Sequence, residues 1–483
     1  MNAPIARLFA LVLLLFVTIV GFTSYWTVVD AEELRDNPEN RRLLLEEAQI
    51  ERGTITTADG ELVAESVAVG STEGEKFYER EYPLGDLFGH PVGFYFLDRG
   101  RSGVELFEDE QLAGRKAEFV TILEQLEGQV QEGSDITLTL NAEAQRVAFE
   151  GLAGRNGAVV ALDPSTGAIL VAASNPPFDP NAIRDSETFK ALNTNEETPL
   201  VNRTTQSGYQ PGSTMKIVTA TAALDSGEFT PETVLNADSG VPISGVPLAN
   251  SGDQDFGEID MTTALTNSVN TYWGQVGEQL GNEIMFEYMD RFGFNGAPPV
   301  EYPSEQLNAS GIRGEGGKLL GPEDSIDMGR VAIGQERLLV TPIQMAMVAA
   351  TVANGGEMME PTFLQAVTDP DGRTTEEDPE VAATVMSEET AATLTEMMTN
   401  VTREGTASGL TVAGVEEFAG KTGTAEVQAG DCADNRGWFI SFAPTVDPQV
   451  AIAAVVECTT GFGGETAGPI ATDVMASLLA QGE

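Results

Sequence analysis

The chain has 483 residues, 41 % of them hydrophobic, and 26 Lys and Arg against 75 Asp and Glu, a formal net charge of −49. That length predicts two to four domains with real cores, and that charge repels phosphate backbones, which excludes nucleic-acid binding as a leading reading. One histidine (His90) and two cysteines exclude most metal sites and most Ser-His-Asp or Cys-His mechanisms, so no metal is expected and any chemistry needs another base.

Residues 8–29 (LFALVLLLFVTIVGFTSYWTVV) carry no charge and are bounded by Arg7 and Asp30. About 20 apolar residues span a bilayer core, so this stretch reads as a transmembrane anchor. Tyr25 and Trp26 lie near its outer end, where amphipathic rings prefer the interface. Arg7 precedes it, and Asp30, Glu32, Glu33 and Asp36 follow, which orients residues 1–7 inside and 30–483 outside. The alternative is a cleaved signal peptide cut near Val29-Asp30-Ala31, although the apolar core exceeds the roughly 7–15 residues of an h-region. No later stretch reaches about 18 apolar residues, which predicts a single-pass protein of the cytoplasmic membrane.

Residues 31–50 read as a short charged helix, and 51–130 as mixed structure. Within the latter, Asp98-Arg-Gly-Arg-Ser-Gly-Val-Glu105 reads from its composition alone as a salt-bridged surface turn. Asp135–Asn141 alternates like a strand, and 142–153 reads as a helix. Ala158–Leu162 and Ala168–Ser174 flank Asp163-Pro-Ser-Thr-Gly167, which has the chemistry of a hairpin turn. Residues 210–355 are predicted mostly helical, with a further helix at 387–403. Strands follow at 417–425, 436–443 and 450–457, and a last helix is expected to start near Pro469. Strands at both ends of a helical region predict an α+β layout, an antiparallel sheet covered by helices.

There are only six lysines: Lys76, Lys116, Lys190, Lys216, Lys318 and Lys421. Ser213-Thr-Met-Lys216 follows a Pro-Gly turn and opens an apolar helix, so serine and lysine share a face. A lysine against an apolar wall, near a second cation, has a lowered pKa and can take the serine proton without histidine. Alone, Ser-x-x-Lys more often marks a helix cap with a surface lysine. It is not alone: Ser268-Val269-Asn270 and Lys421-Thr422-Gly423-Thr424 follow in order, and each pattern occurs once in the chain. That triple is the signature of penicillin-binding proteins and class A β-lactamases, with Asp rather than Val in the middle of the second motif.

The chain resembles the class B (monofunctional) penicillin-binding proteins, of the actinobacterial penicillin-binding protein A type. The likeness extends to Arg52-Gly53-Thr54-Ile55, Asp98–Glu105, Ser174-Asn-Pro-Pro-Phe-Asp-Pro180, Gly334-Gln335 and Thr341-Pro342-Ile-Gln344. It implies a penicillin-binding, serine β-lactamase-like transpeptidase domain with a five-stranded antiparallel sheet at 136–483. Ahead of it come a small mixed α/β pedestal at 30–135, the anchor at 8–29 and a cytoplasmic tail at 1–7. It also implies an interdomain structural role for Asp98–Glu105.

The implied activity is D,D-transpeptidation of peptidoglycan stem peptides in elongation or division, without cofactor and open to β-lactams. Ser213 would be the nucleophile and Lys216 its base. Ser268 would pass a proton to the departing D-Ala, and Asn270 would hold the donor backbone. Lys421 would add positive charge, Thr422 and Thr424 would bind the terminal carboxylate beside Gly423, and the Ser213 and Thr424 N–H groups would form the oxyanion hole. Trp438, on the next strand, reads as packing. The implied partner is a polytopic polymerase of the glycan strand.

Two alternatives share the fold, a β-lactamase-like enzyme and a binding-only pseudoenzyme. A class A β-lactamase needs Glu-x-x-Leu-Asn for deacylation, and here Ser304 stands where that glutamate would precede Leu307-Asn308, with Glu305 out of register. Gly311-Ile-Arg-Gly-Glu-Gly-Gly-Lys318 lacks the spacing of a phosphate loop. Cys432 and Cys458 are expected to form a disulfide, because antiparallel pairing of the last two strands brings both to one sheet edge outside the membrane.

Overall fold

The computed structural model describes residues 3–26, 47–72, 75–115, 132–426 and 435–480. Two compact units divide the chain: residues 1–51 with 67–79, and residues 52–66 with 80–483.

In the first unit, helix α1 (Ala3–Ser24) is exposed throughout its described length. Its 22 residues give about 33 Å at 1.5 Å per residue, enough for a bilayer core. It starts earlier than the apolar stretch and takes in Arg7. In the same unit Tyr78 donates its N–H to the Ala48 carbonyl at 2.8 Å and its hydroxyl to Glu51 at 2.6 Å. Most of the charged helix expected at 31–50 lies outside the described residues.

Among the described residues the two larger sheets have six and five strands, alongside five two-stranded ones. Strand β1 (Ile55–Thr56) pairs antiparallel with β2 (Leu62–Thr72). Strands β2 and β3 (Glu75–Glu81) carry the chain into the first unit and back. On its other side β1 lies parallel to β4 (Asp135–Leu138), and the expected division at 135/136 falls inside this strand. Beneath this sheet Glu105 has no solvent exposure. It accepts from Arg52 at 2.7 Å and Arg80 at 2.6 Å, while Arg52 also reaches Asp109 at 2.6 Å. Burial alone would raise the Glu105 carboxyl; the Arg80 and Arg52 charges overcome it and hold it below the usual range. The start of the Asp98–Glu105 segment is an exposed turn, with Arg99 3.8 Å from Asp98, as its composition suggested, whereas its end, Gly103–Glu105, is buried.

Helix α2 (Ala142–Leu152) starts on an Asn141 cap that accepts from the Ala144 N–H. The second sheet opens with the predicted hairpin, β5 (Gly157–Leu162) and β6 (Ile169–Asn175). Asp163 accepts from the Ser165 N–H, and Gly167 supplies a φ of 80° to close the turn. Helices α3 (Lys216–Asp225), α4 (Met261–Thr266), α5 (Asn270–Arg291) and α6 (Pro342–Ala353) follow.

Strand β7 (Leu364–Thr368) runs antiparallel to β4 and, with β8 (Thr374–Glu376), extends the first sheet. Helix α7 (Glu388–Arg403) is capped by Ser387. Then come β9 (Ala419–Glu426), β10 (Asn435–Ala443), β11 (Val450–Thr459) and α8 (Gly463–Leu479). The five-stranded sheet is antiparallel, in the order β9-β10-β11-β5-β6. All six residues of β5 are buried, so helices cover both faces of the strand.

Helix α8 begins six residues before Pro469. The Glu465 carboxylate accepts the Phe462 N–H at 3.2 Å, and this N-terminal capping sets the start. His90 is a core residue: its Nε2–H donates to the Pro199 carbonyl, and burial pushes it down to about 4.

Candidate active site

The nucleophile turn is built by glycine. Gly212 has a φ of 52°, and a Cβ there would come within 2.6 Å of the Thr424 carbonyl oxygen. Only glycine lets this turn lie backbone-to-backbone on β9. Gly423 answers from the strand, where a Cβ would meet the Pro211 oxygen at 2.8 Å. Residues Gly212–Met215 form a 3-10 helix, and the α-helix starts at Lys216, not at the serine. Residues i and i+3 eclipse in a 3-10 turn, so Ser213 and Lys216 still share a face. The Ser213 N–H falls in the first turn, where amides have no intrahelical acceptor.

Ser268 sits between α4 and α5 with a φ of 57°, a conformation non-glycine residues adopt at a cost. Val269 beside it is 1 % exposed and belongs to the core. Ser268 reaches both lysines and Asn270 reaches Lys216, so the apolar middle residue does not disturb the polar pair.

Lys216 and Lys421 are both fully buried, at 0 % exposure. The Lys216 Nζ donates to the Ser268 carbonyl at 2.7 Å and to Asn270 Oδ1 at 2.8 Å, and lies 3.3 Å from Ser268 Oγ. The Lys421 Nζ donates to Ser268 Oγ at 2.9 Å and to the Thr422 carbonyl at 3.0 Å. Ser268 therefore bridges two amines. Burial, and then the Lys421 charge, hold Lys216 well below the ordinary lysine value. Burial pulls Lys421 down to about 7. A neutral amine has two hydrogens and one lone pair. Ser268 O and Asn270 Oδ1 are acceptors only, so they take both hydrogens of neutral Lys216 and leave its lone pair for a hydroxyl.

Ser213, Ser268, Asn270, Thr422 and Thr424 line one cavity of about 1140 Å³. Ser213 is half-buried at its edge. Thr422 and Thr424, two apart on a strand, share a face. Thr422 Oγ1 meets Thr406 Oγ1 at 2.7 Å, and Thr424 Oγ1 accepts the Gly463 N–H at 3.2 Å. The other end of the Asn270 amide donates to the Ala249 carbonyl at 3.2 Å. Trp438 is buried, and its Nε1–H donates to the Gln210 carbonyl at 3.0 Å, so it packs under the serine turn.

Sequence reasoning missed Asn250, Arg330, Thr406, Phe462 and Glu465 on the cavity wall. Asn250, Arg330 and Thr406 come from separate loops or helix ends, and Phe462 and Glu465 from the start of α8; no spacing pattern joins them to one another across the chain. Gln335, which also lines the wall, was visible only as part of the Gly334-Gln335 likeness.

The sequence family described as the penicillin binding protein transpeptidase domain matches residues 157–476, and the penicillin binding protein A dimerisation domain matches residues 52–136. The chain belongs to the penicillin-binding protein transpeptidase family. It is 33 % identical to the peptidoglycan D,D-transpeptidase PbpA of Mycolicibacterium smegmatis, over 100 % of both chains. It is 32 % identical to PbpA of Mycobacterium tuberculosis, again over 100 % of both. Penicillin-binding protein A from M. tuberculosis, solved as a ceftriaxone acyl-enzyme complex, superposes with a TM-score of 0.80 at 31 % identity, covering 90 % of this chain and 100 % of that one. A D,D-transpeptidase domain from Eggerthella lenta gives 0.77 at 31 % identity, with the same coverage of each chain.

As a penicillin-binding transpeptidase the chain departs from the class A β-lactamase pattern in space as well as in sequence. Glu305 is exposed and is not on the cavity wall. Asn308 is spent on the Thr205 and Gln206 backbones. Among the described residues the carboxylates on the wall are Asp253 and Glu465, and the latter is held by the Phe462 N–H. Of the expected cysteine pair, Cys458 is disulfide-bonded, while Cys432 lies outside the described residues. Asn435 at the start of β10 faces Thr459 at the end of β11, as antiparallel pairing requires.

Proposed function

We propose that this chain is a serine-type peptidoglycan D,D-transpeptidase acting through an acyl-enzyme on Ser213. The observation that carries the reading is the pair of fully buried lysines joined through Ser268 beside the Ser213 turn. Neutral Lys216 takes the Ser213 proton. The freed oxygen attacks the carbonyl between the two D-alanines, and the N–H groups of Ser213 and Thr424 hold the developing oxyanion. The C–N bond breaks as Ser268, fed by the lysines, protonates the departing D-Ala amine. Thr422 and Thr424 hold its carboxylate beside Lys421, and Asn270 exchanges its Ala249 contact for the donor backbone. An acceptor amine from a second stem peptide then attacks the ester and regenerates the serine. β-Lactams enter the same site as mimics of the donor.

The anchor at 8–29 holds the chain in the cytoplasmic membrane, with 1–7 inside and 30–483 outside. The helical span of α1 and the family likeness support this topology. The exported chain divides into a pedestal at 30–135 and a catalytic domain at 136–483, a reading supported by the family matches at 52–136 and 157–476. A polytopic glycan-strand polymerase is the partner this arrangement suits, on the strength of the resemblance. Cys458 is bonded and the chain has one other cysteine, which supports a Cys432–Cys458 bridge at the open end of β10 and β11.

The test is labelling of the full-length chain with a fluorescent penicillin, followed by digestion and mapping of the modified peptide. Label on Ser213 is the expected result. Label elsewhere, or none, would sink the mechanism.

A further inference from the structure

The residues just ahead of Ser213 are held by side chains that lie off the cavity wall. Tyr209 is 3 % exposed and exchanges both backbone hydrogen bonds with Val340, at 2.9 and 2.8 Å. Its hydroxyl donates to Glu457 Oε1 at 2.6 Å. The same oxygen accepts from Arg203 Nε at 3.1 Å, and Arg203 is tied in turn to the Glu197 carbonyl at 2.7 Å. On another side the Tyr209 ring meets Trp438 edge-on, with centroids 6.1 Å apart at 76°. Trp438 holds the next carbonyl, that of Gln210, and the Gln210 amide donates to the Glu336 carbonyl at 2.7 Å.

This is more than a turn needs for stability. Glu457 comes near the end of β11, directly before Cys458, and its carboxylate reaches across to a residue four positions before the nucleophile. A hydrogen bond to a carboxylate is short and strong, and two donors on one oxygen fix the tyrosine in angle as well as distance. Precision of that kind matters for a nucleophile: a displacement of about 1 Å costs on the order of 10²-fold in rate. We propose that Tyr209, held through its hydroxyl by Glu457 and Arg203, is a positioning residue that fixes the Ser213 turn for acylation. The inference rests on the assignment of Ser213 as nucleophile.

The test uses the full-length chain in detergent and a fluorescent penicillin, varying its concentration to separate the acylation rate at saturation, k2, from the binding constant Ks. Tyr209→Phe removes only the hydroxyl. It should lower k2 by about tenfold or more, since 1.4 kcal/mol of lost transition-state positioning is a factor of ten, with Ks changed by less than about threefold. Glu457→Gln should move k2 in the same direction, and it carries the test if Tyr209→Phe does not fold. Tyr288→Phe is the control, because it loses a comparable hydroxyl bond, to Asp225 at 2.9 Å, well outside the serine turn. It should lower the melting temperature and leave k2 unchanged. If both Tyr209→Phe and Glu457→Gln acylate within about twofold of wild type, or if Tyr288→Phe slows k2 equally, the positioning role is overturned. Ser213→Ala separates the two readings. Label on that variant sinks the nucleophile assignment; no label on it, with a normal k2 in Tyr209→Phe, sinks the positioning role alone.

Discussion

Replacing Lys421 by Met should move the pH dependence of acylation upward. Both lysine nitrogens contact Ser268 Oγ, at 3.3 and 2.9 Å, so they can be no more than about 6 Å apart. At an effective dielectric of about 20, two unit charges at about 6 Å repel by about 2.8 kcal/mol, or about two pH units. Burial and then the Lys421 charge lower the Lys216 value, whereas Lys421 is lowered by burial alone. The full repulsion therefore acts on Lys216.

A like charge disfavours protonation, so removing it favours protonation, and a higher pH is then needed to free the lone pair. Met fills similar volume and keeps Lys216 buried, so desolvation stays in place. The assay is the second-order rate of labelling by a fluorescent penicillin between about pH 4.5 and 9. The acid limb of Lys421→Met should lie about two units above that of wild type, at a reduced maximum. A limb that stays put, or moves to lower pH, would refute the coupling between the two amines.

Ser213→Ala should abolish penicillin labelling while thermal unfolding stays cooperative, and Lys216→Ala should slow labelling by about 10²–10⁴, the usual scale for a lost general base. The melting temperature of the full-length chain should rise with NaCl and on mild acidification, because a charge of −49 repels itself and about 1 M salt cuts the Debye length to about 3 Å; a flat or falling curve would remove that reading. Thiol counting under denaturing, non-reducing conditions should find no free thiol. Two per chain would rule out the Cys432–Cys458 bridge, whose loop length suggests about 3–4 kcal/mol of stabilisation.

The parts of the fold that showed in the sequence are those with local causes. Asp163 and Gly167 name their own turn, and the apolar runs of β5 and β11 read as strands. Their adjacency in the sheet, with Ala451 opposite Leu162, is a long-range pairing that no local pattern states. Pro469 misled because proline favours helix starts, whereas the Glu465 carboxylate caps Phe462 and begins α8 earlier. The Asp98–Glu105 segment was legible only at its start, where the exposed turn shows in its charges. Its last charge, Glu105, looks solvated until Arg52, ahead of β1, and Arg80, on β3, surround it. The motif residues were legible because each motif is short. Glu457 and Tyr209 were not, because 248 residues separate the two partners.

The site must keep two amines capable of neutrality in a chain with 75 acidic residues. A carboxylate at contact distance would favour protonation and hold Lys216 in the form that cannot act as a base. Among the described residues neither Lys216 nor Lys421 forms a salt bridge; their partners are hydroxyl, carbonyl and amide oxygens. The inner acid networks lie elsewhere, as at buried Glu105 and half-buried Glu457, where each carboxylate accepts from arginine. Acids on the surface act from where separations beyond the Debye length of about 8 Å are largely screened at physiological salt. Buried pairs are screened far less. Two sets of charges thus answer to different conditions: salt tunes the self-repulsion of the surface, while the coupling between Lys216 and Lys421 is set by burial and by Ser268.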